Sequence, residues 1–298
     1  MRLGYIGLGK MGMGMVTRLV EQGHEVVAYD KAPELLAAAK GVEAEVVTSL
    51  PGMVEVLPSP RTIWLMVPHE VVDAVLSELL PQLSAGDVVI DGGNSQWEKT
   101  LEHAALCEKA EVGFLDVGTS GGPRGAREGA CLMIGSTPAH FERYEALFKS
   151  IAAPGAYRRV GPPGAGHFVK MVHNGIEYGM MQSIADGVEV LKASPFQIDL
   201  IEAFEIYNNK SVIESRLVSW MLDGFKKYGP TLHEVSSTVG ATGEGQWTVD
   251  TAKKLGVAVP AIDVAMEFRK QSASRPSFAG KALSAMRNMF GGHSIAAK

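Results

Sequence analysis

The chain has 298 residues, 46% of them hydrophobic and 20% charged, with a formal net charge of −5. These proportions describe a globular protein of one large or two medium domains. The acidic balance argues against a nucleic-acid or anionic-membrane partner, and no run reaches the ~18 apolar residues of a membrane span. Cys107 and Cys131, each in an apolar stretch, give neither a disulfide framework nor metal-ligand spacing. A reducing compartment and no metal are therefore expected. The opening "MRLGYIGLGK" is too short and too glycine-broken for a signal peptide, so a cytoplasmic location is expected.

In chain order, "RLGYIGL", "HEVVAYD", "RTIWLMV", "DVVIDGG", "GFLDVGT" and "ACLMIGS" read as strands. Helical stretches such as Met11 to Gln22 and Glu70 to Gln82 separate them. This alternation predicts crossover units and a mostly parallel sheet. Between Gly155 and Gly166 the pattern stops at a loop rich in proline and glycine, "RRVGPPGAGH". Beyond it no strand is expected. The remaining stretches have helical periodicity, broken at Ser194-Pro195, Gly229-Pro230 and "GATGEGQ".

The first strand runs into "IGLGKMGMGM", which sets Gly7, Gly9 and Gly12 in a G-x-G-x-x-G spacing. Gly7 permits a tight turn, Gly9 lets backbone approach a pyrophosphate, and Gly12 lets helix pack on strand. The helix N-terminus offers N–H groups and partial positive charge to the phosphates. Asp30 ends the second strand, where a carboxylate bonds ribose hydroxyls and repels a 2′-phosphate. NAD is therefore expected over NADP, with NADP possible but less favoured. Leu8 and Met11 within the loop, and Val67 at the end of "RTIWLMV", are assigned to the cofactor's surroundings. The fold expected is a Rossmann-type doubly wound α/β sheet over residues 1–163, followed by an all-α domain over 164–298 with a C-terminal tail.

Two further glycine clusters, "DGGNS" and "DVGTSGGPRGAREGA", leave strand ends on the side where open α/β sheets bind ligands. The helix that follows, "GAGHFVKMVHNGIEYGMMQ", carries Lys170, His173, Asn174 and Glu177 among apolar residues. Seven residues make almost two turns, so Lys170 and Glu177 share one face with Asn174 between them, roughly 10 Å apart along the axis. A small polar molecule fits between such an amine and carboxylate; a solvated face with an incidental charge pair is the plainer alternative.

Taken in order, "IGLGKMG", "DGGNS", "SGGPRGAREG", "GAGHFVKMVHNGIEYG" and "GEGQWT" resemble the 6-phosphogluconate dehydrogenases, specifically the short NAD-linked bacterial branch. The resemblance implies a decarboxylating enzyme acting on 6-phosphogluconate. Lys170 is then the base that takes the 3-hydroxyl proton as hydride leaves C3, and Glu177 the acid that protonates C1 after carbon dioxide departs. An amine must be neutral to accept that proton. Ser120, Gly121 and Gly122 match the loop that holds the carboxylate and hydroxyls, and Asn94 the residue between nicotinamide and sugar. His173 and Asn174 match hydroxyl contacts, while Tyr178 and Arg269 match phosphate ligands. Thr242 stands where longer members carry a phosphate-binding lysine, which implies a weaker or different contact there.

The end of the chain, "MRNMFGGHSIAAK", resembles the tail of the longer enzymes, by which Arg287 and His293 would complete a neighbouring subunit's site. A homo-oligomer, dimer or tetramer, is implied. The rival readings are a non-decarboxylating β-hydroxyacid dehydrogenase of the 3-hydroxyisobutyrate type and a non-catalytic NAD-sensing module. Glu177 and the two arginines argue against the first, and the intact Lys170, Asn174 and Glu177 against the second.

Overall fold

The computed structural model describes residues 1–240 and 243–296; Thr242 lies outside the described residues. The strands are β1 (Arg2–Ile6), β2 (Glu25–Tyr29), β3 (Glu45–Val46), β4 (Thr62–Leu65), β5 (Val88–Asp91), β6 (Gly113–Ser120), β7 (Ala130–Gly135) and β8 (Ala152–Gly161). Helices α1 (Lys10–Glu21), α2 (Pro33–Gly41), α3 (Leu50–Val56), α4 (His69–Leu79), α5 (Trp97–Lys109), α6 (Gly122–Glu128) and α7 (Pro138–Ile151) lie between them. The strands form one sheet in the order β3-β2-β1-β4-β5-β6-β7-β8. Every pairing is parallel except β6 with β7.

Alternation along the strands builds a core on each face of the sheet. Leu3, Tyr5, Val26, Ala28, Trp64, Val88, Ile90, Leu115 and Val117 pack with Met15, Val16 and Leu19 of α1 and Leu147, Phe148 and Ile151 of α7. Their neighbours Ile6, Val27, Ile63, Leu65, Val89 and Phe114 pack with Met53 of α3, Val72, Val75, Leu76 and Leu79 of α4, and Cys107 of α5. Strands buried on both faces read as unbroken apolar runs, which is why six of them were legible.

Two strands were not expected. β3 has two residues and leaves too short a pattern. β8 corrects the loop expected from Gly155: ten residues, "AAPGAYRRVG", pair parallel with β7 through two register shifts. It is an edge strand whose exposed positions, with Pro154 and Gly155 inside it, erase the alternation.

The chain divides into two compact units, Met1–Lys170 and Met171–Lys298, with the division inside helix α8 (Ala165–Ala193). The second unit continues with α9 (Leu200–Tyr207), α10 (Arg216–Tyr228), α11 (Glu244–Lys254), α12 (Pro260–Gln271) and α13 (Phe278–Gly291). Asp199, Ser215 and Ser277 cap α9, α10 and α13 with side-chain oxygens, as the chain's helix-start chemistry predicts. Met181, Ala185 and Val188 of α8 join Phe204, Met221, Phe225, Leu283 and Met286 in the core of this unit.

Candidate active site

In the first unit the glycine loop occupies the switch point, where the strand order turns from β1 to β4. Gly7 has φ 99°, and a Cβ there would lie 2.3 Å from the Met66 carbonyl oxygen. A Cβ on Gly12 would fall 2.0 Å from the Gly7 oxygen, whereas one on Gly9 would meet no atom within 4 Å. Gly7 and Gly12 are therefore required by the turn itself, and Gly9 leaves backbone approachable at the start of α1. That pattern fits a pyrophosphate.

Asp30 carries more than an outward-facing carboxylate. Its Oδ2 accepts from the Leu8 N–H at 2.7 Å and its Oδ1 from the Ala32 N–H at 2.9 Å. Each carboxylate oxygen keeps a further lone pair for a ribose hydroxyl. The Leu8 side chain is fully buried in the core and its amide is committed to Asp30, while Met11 is partly buried against the same core. Val67 stands between two glycines: its Cγ1 is 2.9 Å from a Cβ placed on Gly7, and its carbonyl oxygen 3.0 Å from one on Gly93.

The "DGGNS" turn is organised by a buried carboxylate that sequence reasoning passed over. Asp91 accepts from the Gly93 N–H at 3.0 Å and the Ser95 hydroxyl at 2.8 Å, which fixes the loop bearing Asn94. Ser120 ends β6; Gly121 (φ 122°) and Gly122 (φ 63°) turn the chain into α6. At the far end of the unit Lys170 is 8% exposed, its stem against Gly118, where a Cβ would lie 2.4 Å from the Lys170 Cβ.

In the second unit His173 Nδ1 is 3.2 Å from Asn174 Oδ1 and 3.8 Å from Glu177 Oε2. Asn174 is buried, and Glu177 is partly exposed. The "GEGQWT" motif now has a physical reason. A Cβ on Gly245 would lie 2.3 Å from the Tyr178 ring, and Thr248 donates its hydroxyl to the Met171 carbonyl at 2.7 Å. A Cβ on Gly175 would fall 2.6 Å from Thr248 Cγ2. Glycine and threonine thus seat the start of α11 directly on α8 beside Tyr178.

Arg269 lies over the Tyr178 ring, its Cζ 3.7 Å from the centroid. It is 4% exposed, and its Nε has no partner among the described residues. Burial pulls this guanidinium down to about 10; the Arg287 charge adds to the fall, while Tyr178, Glu177 and Glu244 oppose it. Burial lowers Arg287 likewise, against the pull of Tyr178, Glu244 and Glu177. Two desolvated guanidinium groups side by side form a site that an anion relieves.

Arg287 and His293, expected to complete a neighbouring subunit's site, each lie against residues of their own chain. Arg287 is the tenth residue of the fourteen-residue α13, 7% exposed, with Nη1 3.1 Å from a Cβ placed on Gly240 of its own chain. His293 follows the helix end at Gly292; its carbonyl accepts from Asn288 Nδ2 at 2.7 Å and its ring packs on Phe290. The apolar face of α13 folds into the unit's core and carries the arginine inward with it.

Comparison with known proteins follows this division. Residues 2–166 match the family described as the NAD binding domain of 6-phosphogluconate dehydrogenase, and residues 166–284 its C-terminal domain. A Bacillus subtilis protein, YqeC, which bears the 6-phosphogluconate dehydrogenase name provisionally, is 41% identical over the whole of both chains. A Haloferax volcanii protein named as NAD(+)-dependent, decarboxylating 6-phosphogluconate dehydrogenase is 39% identical over 100% of this chain and 99% of its own. Among solved structures, 6-phosphogluconate dehydrogenase of Plasmodium falciparum, studied with NADP+ and with 6-phosphogluconate, superposes with a TM-score of 0.84 at 28% identity. That match covers 92% of this chain and 62% of the longer one. The 3-hydroxyisobutyrate dehydrogenase of Mycobacterium tuberculosis shares the fold, with a TM-score of 0.76 at 21% identity, over 97% of this chain and 98% of that one.

Proposed function

Because the chain belongs to the 6-phosphogluconate dehydrogenase family, we propose that it oxidises and decarboxylates 6-phosphogluconate to ribulose 5-phosphate, with NAD as the hydride acceptor. One observation carries the choice over a plain hydroxyacid dehydrogenase. A lysine and a glutamate stand seven residues apart on α8, and a pair of buried arginines lies beside Tyr178 in the helical unit. A substrate oxidised without decarboxylation needs no acid at C1, and an unphosphorylated one needs no such anion site.

When bound, the dinucleotide supplies a nicotinamide that accepts hydride. Neutral Lys170 takes the proton of the 3-hydroxyl as that hydride leaves C3, and a 3-keto acid results. The Lys170 ammonium then donates toward the C3 oxygen while the C1–C2 bond breaks and carbon dioxide leaves as an enediol forms. Glu177 delivers a proton to the carbon that lost the carboxylate. Ser120, Gly121, Gly122, Asn94, His173 and Asn174 hold carboxylate and hydroxyls in this reading, and Tyr178, Arg269 and Arg287 the phosphate. A β-keto acid loses carbon dioxide with a placed cation alone, so the reading calls for no metal; among the described residues no cluster suits one.

Asp30 supports NAD over NADP through its charge, since a 2′-phosphate beside it meets repulsion. A homo-oligomer, dimer or tetramer, is proposed as the assembly. Large apolar residues of the helical unit support it: Val190, Phe196 and Ile206 are 70%, 74% and 63% exposed, and Val212 wholly so. The deciding measurement is absorbance at the reduced nicotinamide band with 6-phosphogluconate and either NAD or NADP, with released carbon dioxide trapped. Equal amounts of reduced cofactor and carbon dioxide are expected. The ratio of kcat/KM should favour NAD by tenfold or more, each tenfold being about 1.4 kcal/mol. Reduction without carbon dioxide would point to the plain dehydrogenase reading, and equal efficiency with both cofactors would remove the role given to Asp30.

A further inference from the structure

A second buried carboxylate stands one residue-pair across the sheet from Asp91, and the chemistry above does not use it. Asp116 of β6 pairs in register with Asp91 of β5, and both are fully buried. Burying a carboxylate is costly unless donors satisfy it. Here the donors belong to the start of α8: Gly164 N–H reaches Oδ1 at 2.6 Å and His167 N–H reaches Oδ2 at 2.8 Å. The carboxylate therefore takes up amides that a helix start leaves without an intrahelical partner, and its charge suits the helix dipole. Burial pushes the Asp116 carboxyl up, while His167 and the two amides pull it back, and Asp91 adds to the rise.

The surrounding glycines make this seat possible. Gly135 faces Asp116 across the β6–β7 ladder, and a Cβ there would fall 2.2 Å from Asp116 Oδ1. A Cβ on Gly166 would lie 2.5 Å from the Met133 oxygen and 2.6 Å from that of Asp116. Gly118, two residues along β6, is the one that admits the Lys170 stem. His167, 1% exposed, adds a tie to α5 through Nδ1, 2.7 Å from Thr100 Oγ1. Lys170 follows His167 by three residues, one helical turn.

We propose that Asp116, with the His167–Thr100 contact, is a positioning residue for Lys170, locking the first turn of α8 to β6 so that the amine is held where the hydroxyl proton leaves. The proposal rests on the reading of Lys170 as the base. Asparagine at position 116 could accept one of the two N–H groups but would turn an amide donor toward the other. The titratable groups facing this carboxylate are His167 and Asp91, and Lys170 lies one turn further along α8.

The test compares the full-length wild type, Asp116→Asn and Thr100→Val, each first shown to melt cooperatively. Trace acetylation of amines with acetic anhydride, followed by peptide mass spectrometry across pH, gives the titration midpoint of Lys170 without reference to turnover. In Asp116→Asn the midpoint should move, because the first turn of α8 that carries the amine loses one of its holds on β6, and the acid limb of kcat/KM should follow it. Misplacing the amine should lower kcat/KM for 6-phosphogluconate by about tenfold to a hundredfold, with NAD affinity within twofold. A folded Asp116→Asn with unchanged Lys170 labelling and unchanged kcat/KM overturns the proposal. If Asp116→Asn does not fold, Thr100→Val decides: a several-fold fall in kcat/KM with altered Lys170 labelling is expected, and wild-type behaviour in both overturns it. A wild type that fails to oxidise 6-phosphogluconate sinks the functional reading instead, and the labelling comparison still decides this one.

Discussion

At the scale of single residues, burial sorts chemically similar groups into different roles. Cys107 is fully buried, and desolvation with the nearby Asp91 charge pushes its thiol up to about 12; Cys131 is exposed on β7. A thiol reagent at pH 8 should therefore label one cysteine of the native protein and both after denaturation, with peptide mapping assigning the first to Cys131. In the proposed reaction Lys170 and Glu177 divide the chemistry as base and acid. Lys170→Met should abolish oxidation. Glu177→Gln should leave NAD binding intact, slow turnover by roughly 10² to 10⁴, and stop solvent deuterium from entering C1 of the product. Normal turnover by Glu177→Gln would make that carboxylate structural. Arg269→Met offers a contrast of sign. Because burial lowers the Arg269 pKa to about 10, the charged form is disfavoured in the fold and its cost is relieved only as pH rises through that value. At pH 7 the variant should melt no lower than wild type without substrate, yet gain no thermal protection from 6-phosphogluconate. Equal protection of both proteins would place the phosphate elsewhere.

At the scale of elements, the glycine loop separates two uses of the same residue. Gly12 is needed by the fold, since any Cβ would sit 2.0 Å from the Gly7 oxygen; Gly9 has open space before it. Gly12→Ala should lower stability by about 1–3 kcal/mol, the usual cost of overpacking. Gly9→Ala should keep the melting temperature and weaken NAD binding instead. A calorimetric melt and a binding titration on each variant read both quantities, and equal loss of stability in the two would mean the loop has no face reserved for phosphate. Edge strand β8 belongs to this scale as well. Its hydrogen bonds come from β7, so what makes it a strand lies some twenty residues away in the chain. Its own "AAPGAYRRVG" carries turn residues and no alternation.

For the whole molecule, the question is whether one chain supplies its own arginines. Arg287 lies beside Arg269 of the same chain, and their charges are close enough to interact. Lys170→Met and Arg287→Ala, unfolded, mixed and refolded together, should therefore stay inactive even when mass spectrometry shows hybrid oligomers. Recovery approaching a quarter of the sites, the yield of random pairing in a dimer, would return Arg287 to a neighbouring subunit.

What the sequence determined by itself are the features whose cause is local. Strands buried on both faces announce themselves as apolar runs, a turn that excludes Cβ atoms demands glycines at fixed spacing, and Lys170, Asn174 and Glu177 share a face because helical geometry needs no distant partner. Tertiary structure decided the rest. Asp91 and Asp116 look alike in the chain, each an acid that follows apolar strand residues, and only the sheet gives one a loop to hold and the other a helix. Arg287 reads as part of a basic tail, yet the buried apolar face of α13 turns it inward to Arg269. In each case the deciding contact joins residues far apart in sequence, where burial and hydrogen-bond geometry, rather than residue type, fix what a charge does.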